Sequence, residues 1–127
     1  MNELISALQD YQRKAAAATK RVYACPPFHL YLHPTDGFRY FNYAIPDHPI
    51  EALAHEDLDA LVTEFEAHDR TLRFEFLHEY TPHLRRLLDA LAVPLEGENP
   101  LLVCGPDTWT DVPRLAGLEV RRLTPES

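Results

Sequence analysis

The sequence predicts a mixed α/β domain of α+β type, a mostly antiparallel sheet flanked by about three helices. Three observations predict it. Residues 71–91, TLRFEFLHEYTPHLRRLLDAL, pass from a strand pattern straight into a helix pattern. Residues 28–45 hold two aromatic-rich alternating runs around a turn-forming stretch. Residues 3–19 and 56–68 each carry apolar side chains at helical spacing.

In chain order, the first helix should run from Glu3 to Thr19. Leu4, Leu8, Tyr11 and Ala15 are spaced 4, 3 and 4 apart, the four alanines favour helix, and Asn2 suits the cap. Cys25-Pro26-Pro27 ends helical conformation, because proline removes a donor and restrains its predecessor. Phe28–Leu32 reads as a strand with Phe28, Leu30 and Leu32 on one face, His33–Gly37 as a turn, and Phe38–Ile45 as the returning strand of a hairpin. Pro46 and Pro49 terminate it. A second helix ends near His68, with Leu58, Leu61, Val62 and Phe65 buried and Glu56 and Asp57 at its positive end.

The strand 72–76 should bury Leu72, Phe74 and Phe76 and expose Arg73 and Glu75. A helix joining two strands of one sheet implies a right-handed crossover. Thr81 and Pro82 read as cap and first position of the third helix, and Leu84, Leu87, Leu88 and Leu91 as its buried stripe. Ala92–Leu95 and Leu101–Cys104 read as a short second hairpin, and Thr108–Ala116 as a loop or single turn around Trp109, the sole tryptophan.

Bulk properties narrow the function. The chain has 127 residues, 46% hydrophobic and 25% charged, as in a soluble globular protein of one domain. No apolar run approaches the ~20 residues that span a bilayer, and the acidic residues of MNELISALQDYQRK exclude a secretory leader. A cytoplasmic location is expected. Lys and Arg total 12 against 20 Asp and Glu, a net charge of −8, which disfavours nucleic acid and anionic membrane as partners. Cys25 and Cys104 are expected as free thiols, Cys104 as a small core residue of the apolar run LLVC; a disulfide between them would need neighbouring strands.

No metal site is expected. His78-Glu79 and His83 lack the i, i+4 spacing of a zinc-protease helix, and His29 and His33 would lie ~13 Å apart on an extended strand. The four glycines are scattered and form no phosphate-binding loop, and no nucleophile motif occurs. No catalytic residue is assigned. Tyr40, Asn42 and Glu75, polar groups on strands expected to be neighbours, are the candidate ligand groove, set against an ordinary solvent face or interface.

The element order, with the stretches PPFHLYLHPTDGFRYFNYAIPD (26–47), RFEFLHEYTPHLRRLLDALAV (73–93) and PLLVCGPDTW (100–109), resembles the N-terminal halves of tandem GCN5-related N-acetyltransferase (GNAT) proteins. The resemblance implies a GNAT-like domain over 1–127, degenerate and non-catalytic. Residues 114–127 resemble the start of a following catalytic domain, with LEVRRLTPES (118–127) its first strand, so the chain is expected to stop where the enzyme would begin. Active members carry an Arg/Gln-x-x-Gly-x-Gly/Ala loop whose amides grip the acetyl-CoA pyrophosphate at a helix N-terminus. The equivalent here, residues 46–55 (PDHPIEALAH), has no glycine, two prolines, and the carboxylates of Asp47 and Glu51. No cofactor residue carries over.

Three functions follow as expectations. The first is a non-catalytic scaffold or interaction module, partnered by a second copy or by a separately encoded catalytic GNAT domain. The second is a small acyltransferase gripping acetyl-CoA unconventionally. The third is an amine-binding module whose acidic surface attracts cations.

Overall fold

A three-stranded antiparallel sheet in the order β1-β2-β3 carries the fold of this computed structural model, which describes residues 2–111 and 113–125. Val112, within the loop expected at 108–116, and Glu126 and Ser127, at the end of the strand expected at 118–127, lie outside the described residues. Two compact units are present, residues 1–96 and 97–127.

In the first unit, α1 spans Glu3–Thr19 as expected, with Asn2 Oδ1 accepting the Leu4 N–H at 2.8 Å. Its buried face differs from the expected one. Leu4 and Tyr11 are exposed, while Gln9 and Ala16 are buried and Ile5, Leu8, Gln12 and Arg13 half-buried. The helix is thus turned by about one position, because two of its polar side chains find partners inside.

Next comes β1 (Arg21–Cys25), which the sequence reading left unassigned. Arg21, Val22 and Ala24 are exposed, while Tyr23 and Cys25 turn to the main core, so RVYAC offers two apolar positions alone as a signal. It pairs with β2 (Phe28–Leu32) across Pro26-Pro27, whose peptide bond is cis. The expected return strand is shorter: β3 covers only Tyr43–Pro46, paired with β2 from Phe28↔Pro46 to Tyr31↔Tyr43. Residues 39–41 form a 3-10 turn instead of extending it.

The sheet is covered on both faces. Phe28, Leu30, Leu32 and Ala44 join Leu61 and Phe65 of α2 (His55–Ala67) and Leu84 and Leu88 of α3 (Leu84–Ala90) in the main core. Tyr31 and Ile45, on the opposite face, pack with Ala16 of α1. The expected apolar face of 72–76 is present, since Leu72, Phe74 and Phe76 all pack on the main core. The segment is extended, yet among the described residues it makes one bridge, Ala44 with Phe74, in parallel. A parallel neighbour after α2 makes the connection a crossover.

Helix ends follow local chemistry. The Asp57 carboxylate accepts the Ala54 N–H at 2.9 Å, half of a capping box. Thr81 does not cap α3: its hydroxyl is used elsewhere, Thr81–His83 form a turn, and α3 begins at Leu84. Both α2 and α3 close with paired carbonyl-capping bonds, Arg70 N–H to Phe65 O and Asp69 N–H to Glu66 O, then Val93 N–H to Leu88 O and Ala92 N–H to Asp89 O. Asp69 and Ala92 hold the positive φ, 57° and 61°, that glycine usually takes there.

In the second unit no strand occurs among the described residues, so the short hairpin is absent. Leu101, Leu102 and Val103 are exposed, and a lone apolar run without a ladder partner does not hold a strand. The turn around Gly105–Trp109 is present, with Trp109 N–H bonded to Gly105 O at 3.0 Å. Cys104 is exposed, contrary to its expected core placement; Cys25 is buried, and both thiols are free. Burial, reinforced by the Glu64 and Asp57 charges, pushes the Cys25 thiol up from its ordinary value. Native protein treated with an aromatic disulfide reagent should therefore release one fast equivalent, from Cys104, and a second only on unfolding. Two equally fast equivalents would contradict this burial.

No helix among the described residues is long and apolar enough to cross a membrane.

Candidate functional site

The residues 46–55 begin at the end of β3 and lead into α2. Pro46 and Pro49 have no N–H to offer. The Asp47 N–H is donated to Pro27 O at 2.9 Å, the Ile50 N–H to Thr81 Oγ1 at 2.9 Å, and the Ala54 N–H to Asp57. The Asp47 carboxylate faces His29 Nδ1 at 2.5 Å, and the Glu51 carboxylate lies 3.5 Å from His83 Nε2. Half of the ten amides are thus absent or spent inside the protein, and acidic groups stand among the rest. A diphosphate needs converging free amides; this segment does not fit one.

Side chains close the space beside that segment. Ala44 exchanges bonds with the 73–75 backbone, its N–H to Arg73 O at 2.8 Å and its O from Glu75 N–H at 3.0 Å. Beyond that bridge the two strands are joined through α1 and the turn before α3. Gln9 Oε1 accepts the Leu77 N–H at 2.9 Å, and its amide nitrogen donates to Gln12. Arg13 Nη2 donates to the Tyr80 hydroxyl at 3.0 Å and to Asp47 O at 3.4 Å, with its guanidinium 5.3 Å from the Tyr80 ring centre. Tyr80 also reaches Asp47 O. Gln9, Arg13, Tyr80 and Thr81 were invisible to the sequence reading as a group. Helical spacing marks polar residues as solvent-facing, and their partners lie more than 30 positions away.

The sequence-expected groove residues are placed differently from one another. Tyr40, on the 3-10 turn, is partly exposed, and both Arg39 and Arg73 hold their guanidinium groups within 5 Å of its ring centre, at 4.7 and 4.9 Å. Arg73 also donates to Glu75 at 2.9 Å and to Glu96 at 3.0 Å. Tyr40 and Glu75 are thus brought together through Arg73. Burial works against the Arg73 charge, but bonds and charges from Glu75 and Glu96 outweigh it and raise its pKa above the ordinary value. The ring and carboxylate that an amine would use are both engaged by Arg73. On neighbouring Tyr43, burial and then the Glu75 charge push the phenol up, with Arg73 acting the other way.

Asn42 is not part of that cluster's bonding. It is 1% exposed, and its side-chain bonds run to the loop 33–38 and to Arg70. Its type and position made it a groove candidate; its environment makes it an internal tie. Among the described residues, no group of three or more His, Cys, Asp or Glu side chains is placed to hold a metal ion.

No protein-family model and no curated protein matches the chain. A solved structure, a GCN5-related N-acetyltransferase from Kribbella flavida, shares its fold with a TM-score of 0.57 at 20% identity. The likeness covers 68% of this chain and 35% of that one, so the chain spans about a third of that structure's length. At that identity the likeness speaks for architecture, and the sheet with α1 on one face and α2 and α3 on the other is a GNAT-like mixed α/β fold.

Proposed function

We propose that this chain is a non-catalytic, degenerate GNAT-like domain, a scaffold or interaction module that works beside a catalytic GNAT domain encoded separately. One observation carries the reading: in the segment 46–55 two positions are prolines, the Asp47 and Ile50 N–H groups are spent on Pro27 and Thr81, and the Ala54 N–H is held by Asp57. An acetyl-CoA grip using those amides would have to break the bond from Ile50 to the turn before α3 and the bond from Asp47 to Pro27. The partner role is supported by exposed apolar side chains in residues 97–125, among them Leu102, Val120 and Leu123. A second copy of the chain is the other partner this surface would suit.

Isothermal titration of the chain with acetyl-CoA should give no saturable heat at micromolar to millimolar ligand. Micromolar binding would overturn the proposal and favour the acyltransferase reading, and acetyl-CoA consumption with a panel of amines would then follow.

A further inference from the structure

We infer that the chain has a binding site for a small oxyanion, a phosphate- or carboxylate-bearing metabolite, in a cleft at the end of the sheet remote from residues 46–55. The cleft has a volume of about 320 Å³ and is lined by Arg21, Tyr23, His33, Thr35, His68 and Arg70, together with Leu32 and Pro34. Its location follows from the register. Arg21 pairs with Leu32 at one end of β1–β2, whereas Cys25, Phe28 and Pro46 align at the other. Four residues of strand separate the two ends, ~13 Å.

The lining is cationic in a chain of net charge −8. Arg21 is exposed, and its side chain has no hydrogen-bond or ion-pair partner among the described residues. Arg70 is half-buried and makes four kinds of bond, to Asn42 Oδ1 at 2.9 Å, His33 O at 2.8 Å, His68 O at 3.1 Å and Asp69 O at 3.0 Å. All four acceptors are neutral. These bonds take four of the guanidinium's five N–H groups and fix it, leaving one Nη2 N–H and a charge uncompensated by any of the groups it touches. A cation held rigidly in this way costs little further ordering when an anion arrives.

The histidines add donors. His33 Nδ1 accepts the N–H groups of Thr35 at 3.2 Å and Asp36 at 2.9 Å, which sets the tautomer with the proton on Nε2. His68 lies against Tyr23 with ring centres 4.1 Å apart and planes tilted by 33°. The Glu64 carboxylate lies 4.0 Å from His68 Nε2, too long for a strong bond. The Arg21 guanidinium, the charge and remaining N–H of Arg70, an imidazole N–H and a second imidazole around a polar cleft suit oxygen anions. The volume is near the lower end for ligand sites, which limits the occupant to a small molecule. Spacing alone could not reveal the cleft, since residues 21, 33, 68 and 70 come from three separate parts of the chain.

The test is a ¹H–¹⁵N NMR titration of the full chain with sodium phosphate, pyrophosphate and citrate at constant ionic strength. Saturable shifts confined to Arg21, Tyr23, Thr35 and His68 are expected with at least one probe. Response to the phosphates alone or to citrate alone identifies which oxyanion the cleft takes; response to both indicates their shared chemistry. Arg21→Ala should weaken binding about tenfold, the loss of one charge-assisted contact; Arg21→Lys should retain part of it. Lys14→Ala, an exposed cation paired with Asp10, should change nothing. Linear, unsaturated shifts with every probe, or equal affinity in Arg21→Ala, would overturn the site. Shifts at residues 46–55 with acetyl-CoA would count against the non-catalytic proposal and leave this one standing.

Discussion

Asn42→Ala should lower folding stability by about 3 kcal/mol, more than any exposed substitution in the same loop. Asn42 accepts the His33 N–H at 2.8 Å and the Arg70 Nε–H at 2.9 Å on one oxygen. Its amide nitrogen donates to Asp36 O at 3.0 Å and Phe38 O at 2.8 Å. Alanine removes all four bonds without supplying water in their place, so buried donors lose their acceptor, at about 1–3 kcal/mol each for the worst placed. Arg70 is the most sensitive, because it is a charged group and its remaining bonds depend on where Asn42 holds it. Asn42→Asp should fall in between at neutral pH, keeping an acceptor for His33 and Arg70 while facing two carbonyls. Tyr40→Ala, two residues earlier and partly exposed, should cost less than about 1 kcal/mol. Urea unfolding of the three variants decides it. If Asn42→Ala and Tyr40→Ala lose the same small amount, Asn42 is not the tie that the loop 33–42 depends on.

The contrast between those two positions shows what the sequence could convey. Both are polar residues in an aromatic run, and alternation alone puts them on one face. The 3-10 turn at Arg39–Phe41 breaks the alternation and sends Asn42 inward. Local signals served well where the cause is local: Asn2 and the alanine run set the limits of α1, and the apolar triplet 28, 30, 32 set the face of β2. They failed where the cause is distant. Gln9 is fully buried because Leu77 N–H awaits its oxygen 68 positions later, so the buried face of α1 rotates away from Leu4 and Tyr11. The exits of α2 and α3 use Asp69 and Ala92 where glycine would have announced them. The missing glycine in 46–55 was legible; the inward bonding of that segment to Thr81 and Pro27 was not, because both partners belong to other elements.

Phe65→Ala should destabilise the protein by about 3–5 kcal/mol, the largest single-residue effect expected. Phe65 is fully buried on α2, in the cluster that also holds Phe28, Leu30, Leu61, Leu84 and Leu88. Every layer on that side of the sheet meets there, and truncation leaves a cavity that two helices and a strand cannot all relax into. A domain of this size has about 5–15 kcal/mol in total, so the variant should sit near its unfolding threshold at 37 °C. Each lost kcal/mol lowers Tm by about 4–8 °C. Leu102→Ala removes a side chain of similar hydrophobicity from a site 88% exposed and should stay within about 0.5 kcal/mol of the parent. The pair separates two accounts of why the run LLVC is apolar. If residues 101–104 were a core strand, as the run suggests when read by itself, Leu102→Ala would cost 2 kcal/mol or more. If the run is apolar for the sake of a partner, Leu102→Ala leaves the unfolding of the isolated chain untouched and lowers only its association, which sedimentation at increasing concentration, alone and with a catalytic GNAT domain, would register.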